Sequence, residues 1–176
     1  GFDVNPEQTF AITDFNVSFA IPAWRTKVSI GQMREDFGYE VVASTSILPQ
    51  SERVISPFVS PVNTGLKVTH LIGARDEMTL SYGVFKDDWG DGEGRPAFSA
   101  RMTRLVIDQP AHGRLLHLGL GVRRAEIRDT TRYRGRPGVA AADDFVDTGD
   151  FAADATTHVG LEALWMLRRG NGLVTL

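Results

Sequence analysis

The sequence predicts an all-β protein, an antiparallel up-and-down β-barrel. Three observations carry that prediction. Stretch after stretch alternates apolar and polar residues with period two, the side-chain period of a strand. The connections between these stretches alternate strictly between short and long. Helical periodicity is weak, and the one plausible helix, ADDFVDTGDFAADA (142–155), is acidic and broken by Gly149.

The strands come in chain order. In TDFNVSFAI, Phe15, Val17, Phe19 and Ile21 fall on one face, and Asp14, Asn16 and Ser18 on the other. Positions 24–34 form a second, less clean candidate. In LKVTHLIG, Leu66, Val68 and Ile72 share a face with His70, opposite Lys67 and Thr69. In EMTLSYGVF, Met78, Leu80, Tyr82 and Val84 oppose Thr79, Ser81 and Gly83. Positions 97–107 are again less clean. In RLLHLGLGVRR, Leu116, Leu118, Leu120 and Val122 oppose His117, Gly119, Gly121 and Arg123. In VGLEALWML, Val159, Leu161, Ala163, Trp165 and Leu167 oppose Gly160, Glu162 and Met166. A last strand starts near Leu173, for about eight in all.

Between them, PA (22–23), ARD (74–76), DQPAH (108–112) and RGN (169–171) are short, whereas 35–63, 87–96 and 128–157 are long. Tight turns at one end of a sheet and long loops at the other are the asymmetry of transmembrane barrels. Which face is buried decides between two barrels. A lipocalin-like barrel hides its apolar stripe; a membrane barrel turns it to lipid and keeps a polar interior. Three features favour the second. The opposing faces mix small and charged residues, as a wet lumen would. Phe15, Trp24 and Trp165 lie near strand ends, where interfacial aromatics sit, although Trp165 is equally readable as a core residue. The apolar faces are single stripes with no helix to cover them.

Bulk composition is compatible with this. The chain has 176 residues, enough for one domain with a core, a net charge of −3 and no cysteine. The charge offers nothing to nucleic acid. Disulfides and thiolate metal sites are excluded, and the lack of cysteine fits an oxidising compartment. No apolar run is long enough for a transmembrane helix, which leaves β-strands untouched. The opening GFDVNPEQTF lacks the basic start and apolar core of a signal peptide. An exported chain would therefore carry its signal upstream or have lost it.

Catalytic and metal-binding patterns are missing. His70, His112, His117 and His158 have no HExxH or related spacing. There is no GxSxG elbow and no P-loop, and GLGVRR lies within a strand rather than before a helix. The acidic stretch DDWGDGEGRP (87–96) fails the EF-hand register, because position 12 from Asp87 is Phe98. It reads as a hydrated loop with glycine-permitted turns, a loose divalent-ion contact being the alternative. No enzyme, cofactor or metal is expected. Positive charge is more informative. Arg132, Arg134 and Arg136 form a dense patch in a long loop, balanced in sequence by Asp143, Asp144 and Asp147. Alternation puts Lys67, Arg101 and Arg123 on the polar faces of strands, and cations on a lumen wall favour anions.

The segments RLLHLGLGVRRAEIRDTTRYRGRP, DDFVDTGDF and HVGLEALWML, in that order, resemble the phosphate-selective porin O/P family of bacterial outer membranes. A second similarity is VSIGQMREDFGYE, where Gly31, Gln32, Phe37, Gly38 and Glu40 match the family pattern and Met33, Arg34 and Asp36 depart from it. Arg34 keeps the positive charge of a family lysine; Asp36 replaces a proline. A third is the Glu52–Arg53 pair followed by Gly65. The resemblance covers most of 10–176. It implies a 16-stranded barrel in the outer membrane, usually a homotrimer, passing small anions such as phosphate or polyphosphate. It also adds Arg34, near a first long loop, to the anion pathway. The chain is then expected to be an internal segment of a larger barrel, a closed eight-stranded barrel being the alternative. Competing readings are a soluble lipocalin-like barrel binding an apolar ligand along Leu116–Leu118–Leu120, and a small outer-membrane barrel without a conducting lumen.

Overall fold

The computed structural model describes residues 2–4, 10–12, 15–42, 62–87, 94–135, 145–169 and 172–175. Strands β1 (Phe2–Val4) and β2 (Phe10–Ile12) form a small antiparallel ladder. Next come β3 (Phe15–Ile21), β4 (Thr26–Arg34), the single helical turn α1 (Tyr39–Val42), β5 (Val62–Ile72), β6 (Met78–Asp87), β7 (Arg95–Gln109) and β8 (Arg114–Glu126). Four two-residue strands succeed them: β9 (Thr130–Thr131), β10 (Arg134–Gly135), β11 (Val146–Asp147) and β12 (Phe151–Ala152). The last two strands are β13 (Ala155–Arg169) and β14 (Gly172–Thr175).

Among the described residues, eight strands form one antiparallel sheet in the order β3-β4-β5-β6-β7-β8-β13-β14. Every neighbour in that sheet is the next strand of the sheet along the chain, so the topology is the expected up-and-down meander. The sheet does not close. Strands β3 and β14 are its edges, and β14 pairs only with 166–169 of β13. Among the described residues the closed eight-stranded alternative is therefore not formed.

The alternation predicted for each strand sets the two faces. Phe15, Val17, Phe19, Leu66, Val84, Leu118, Leu120, Val159 and Leu161 all lie on the exposed face, Leu161 being 84% accessible and Phe15 71%. On the other face Ser29, Asn63, Ser81, Ser99, Thr103 and Arg123 are buried. A small apolar cluster of Met33, Phe85, Ala97 and Ala125 joins them there. The two less clean candidates have local causes. In β4, apolar Met33 packs on the buried face rather than with Ile30. In β7, the pairing with β8 shifts between Leu105 and Ile107, a bulge that reverses the parity of the residues beyond it.

The short turns end the strands tightly. Pro22–Trp24 makes one 3-10 turn, and Arg25 comes after it in the left-handed region at φ 49°. Its guanidinium donates to the Gly73 carbonyl (2.6 Å) and pairs with Asp76, tying this turn to the next one along the edge. The helix candidate over 142–155, discounted in the sequence for its acidity and Gly149, is not formed in its described part, which is β11, β12 and the start of β13. Gly149 sits at φ 66° in its centre, the Asp147 carboxylate accepts from the Gly149 N–H (3.0 Å), and β12 and β11 find partners in β9 and β10 across the loop. Positions 142–144 and most of the acidic stretch 87–96 lie outside the described residues.

Candidate functional site

What covers the polar face is the chain itself. After β4 the segment Glu35–Val42 turns over the sheet, with Glu35, Phe37 and Val41 buried. Glycine makes room for it. A Cβ at Gly121 would collide with the Phe37 carbonyl, and one at Gly160 would meet the Phe37 ring at 3.4 Å. Phe37 also packs edge-on against His158, with ring centroids 6.2 Å apart. Gly121 of β8 thus marks a close backbone approach.

Carboxylates and cations fasten this segment. The Arg123 guanidinium grips Glu35 through two donors, Nε to Oε2 at 2.9 Å and Nη2 to Oε1 at 3.2 Å. Asn63 Nδ2 donates to the same Oε1 at 2.6 Å. Both charged side chains are almost fully enclosed, 3% and 1% accessible. Beside them Lys67 Nζ reaches Asp36 and the Arg34 carbonyl, each at 3.1 Å. Further along, Glu162 accepts from Arg101 Nε (3.1 Å), lies 3.1 Å from His117 Nε2, and accepts the backbone N–H of Tyr39 at 2.5 Å. Its register partner on β8 is Gly119, where a Cβ would collide with the Glu162 side chain. A cavity of about 470 Å³ opens here, lined by Phe37, Tyr39, Glu40, His117, Gly160 and Glu162 among others.

The predicted cations are therefore brought together in part. Lys67, Arg101 and Arg123 share the covered face, each with a carboxylate partner. Arg34 ends β4 and, by strand parity, opposes buried Met33; its guanidinium donates to the Val41 carbonyl (3.4 Å) and so holds the far end of the segment. Arg132 and Arg134 lie away from this ladder in the long loop. Arg132 pairs with Asp147 and lies 4.0 Å from Asp150, and Arg134 is 3.9 Å from Asp147. Arg132, first through its hydrogen bond, holds the Asp147 carboxyl well below the usual carboxylate range. This is the charge balance the loop composition suggests. Arg136, Asp143 and Asp144 lie outside the described residues.

Sequence reasoning missed the acidic half of the ladder. Glu35 and Asp36 stand in an aperiodic stretch that gives no hint of what they meet, 88 residues away in the case of Glu35 and Arg123. Glu162 did carry a signal, being a lone carboxylate on the polar side of an otherwise apolar strand. Among the described residues no group of His, Asp and Glu is arranged to hold a metal ion. No family model matches the chain, and a search of the curated proteins returned no match.

Proposed function

We propose that this chain forms part of the wall of a passive outer-membrane pore that prefers anions, with phosphate or polyphosphate as the favoured class. The observation that carries this reading is the inversion of the sheet. Its apolar stripes face outward, while guanidinium and ammonium groups lie on the enclosed face with Ser, Asn, Thr and Gly. A soluble protein has no reason to expose Phe15, Val17, Phe19, Leu118, Leu120, Val159 and Leu161 together, because contiguous exposed apolar patches of that extent mark an interface. Lipid is the interface that matches one stripe per strand on a sheet. Strands β5, β6, β7, β8 and β13 have 11, 10, 15, 13 and 15 residues, at or above the 9–11 that a tilted strand needs to cross a bilayer. No helix is long and apolar enough to cross a membrane among the described residues.

The open edges support a wider barrel than eight strands. Strand β13 is unpaired on its outer side before Met166 among the described residues. An uncovered edge of that length is a liability unless another strand continues the sheet. Sixteen strands and a trimer accord with the sequence resemblance and belong to this proposal. The lipocalin-like reading would need Leu118 and Leu120 to line a cavity, and they are exposed instead.

The test is ion selectivity in a planar bilayer. Reversal potentials under a salt gradient should report anion preference, and that preference should fall when Lys67, Arg101 and Arg123 are each replaced by glutamine. Cation preference, or a reversal potential indifferent to all three changes, would sink the reading.

A further inference from the structure

Glu162 holds two basic side chains on one oxygen, Arg101 through Nε and His117 through Nε2, each at 3.1 Å. An ionised carboxylate only accepts, so Nε2 is the nitrogen that carries the hydrogen when the His117 ring is neutral. A second proton then adds at Nδ1. In both states Nε2–H donates to Glu162, and the charged ring turns the same contact into a charge-assisted one. His117 can therefore gain or lose a charge without leaving its place. It lines the cavity beside Tyr39 and Glu40, and its side chain is 19% accessible, so protons reach it from water.

Every element around the ring can be named. Strand β13 supplies Glu162 and, directly opposite His117, apolar Leu164. Strand β7 supplies Arg101, apolar Leu105 opposite the ring, and Asp108 opposite Leu115, one pleat nearer the short turn. The segment after β4 supplies Tyr39, whose ring lies 6.5 Å from that of His117, and Glu40. On β8 itself the next charge on this face is Arg123, six residues on. Lys67, Arg101 and Arg123 each stand against one carboxylate, so these three pairs add no net charge to the covered face. Imidazole is the side chain whose charge ordinarily changes between about pH 5 and 8.

Resting on the pore reading, we propose that His117 is a proton-operated charge on the lumen wall, which raises the pore's anion preference on acidification while Glu162 and Arg101 hold the ring in place. The sign follows from the charge balance. The extra positive charge is present at the acid end and is lost as pH rises, so preference for anions falls with rising pH. Its size follows from Coulomb's law. One unit charge about 5 Å from a passing ion in water changes that ion's Boltzmann weight roughly fourfold.

The experiment measures reversal potentials of the protein in planar bilayers under a potassium chloride gradient, at about pH 8 and about pH 5. Salt of roughly 0.1 M keeps the screening length near 10 Å. The anion-to-cation permeability ratio of the unmodified protein should rise about fourfold on acidification. His117→Gln should stay at the alkaline value at both pH values. His117→Lys should stay at the acid value at both, and supplies the test should the glutamine variant fail to fold. His70→Gln, on the opposite face, should keep the full response. A ratio that ignores pH in the unmodified protein, or that rises equally in His117→Gln or His117→Lys, overturns the role of His117 and leaves the anion pore standing. Cation preference at both pH values overturns the pore reading, and this inference with it.

Discussion

Arg123 and Glu35 form a deeply enclosed ion pair, and their energetics differ from those of the surface pairs. Breaking a buried pair by removing one partner costs about 3–5 kcal/mol, because the survivor keeps its charge without solvent. Arg123→Met should therefore lower the denaturation midpoint in detergent far more than Arg132→Met, whose partner Asp147 is open to water. Combining Arg123→Met with Glu35→Gln should recover most of the loss. Equal effects of the two arginine changes would contradict the burial of the Arg123–Glu35 pair. Gly121 offers a second residue-scale prediction. Gly121→Ala drives a methyl into the Phe37 carbonyl, and overpacking of that kind costs about 1–3 kcal/mol. The segment Glu35–Val42 should lift, seen as faster amide exchange at Tyr39. Gly149→Ala is the contrast. It has nothing within 4 Å of the added atom and bears only the left-handed backbone, about 1 kcal/mol.

At the scale of elements, the long loop between β8 and β13 is held by short ladders and by Arg132 on Asp147 rather than by a helix. The pH dependence of that loop has a definite sign. Asp147 titrates below its ordinary value in the folded chain, so the stability it lends is complete above the usual carboxylate range and is lost only as pH falls through the lowered value. The ladder of β10 with β11 should thus persist at about pH 4, near the unperturbed carboxylate value. Carboxyl carbon shifts of Asp147, recorded from neutral pH down through the ordinary carboxylate range, would check it; a midpoint at the unperturbed value would contradict the Arg132 contact. Legibility also varied by element. Strands β3, β5, β6, β8 and β13 were readable because one side of each is predominantly apolar. Strands β4 and β7 were legible as candidates but less clean, β4 since Met33 packs on the covered face instead of the stripe and β7 since a bulge is invisible to a period of two. The one helix candidate, 142–155, was already weakened by its acidity and by Gly149, and its described part forms short ladders with strand partners across the loop.

At the scale of the whole molecule, the exposed stripe is the feature with the largest consequence. With the pore reading, Leu161→Arg should cost on the order of 2–4 kcal/mol of folding into lipid vesicles if it lies near the bilayer midplane. Thr103→Ser, on the covered face, should cost far less. Trp165, exposed on the same stripe as Leu161, should be quenched by brominated lipid chains. Fluorescence indifferent to those lipids would place the stripe against something other than a membrane.

Residue order by itself determined the all-β class, the number and sequence of the long strands, the asymmetry of their connections and the face to which Lys67, Arg101 and Arg123 belong. These come from local rules, because side chains on a strand alternate whatever lies around it. Only the tertiary structure decided that the sheet stays open, that Glu35–Val42 folds over the polar face, and that each of those cations has a carboxylate beside it. Those facts join residues far apart in the chain, and no period or spacing encodes which distant charge a loop will meet when it lands.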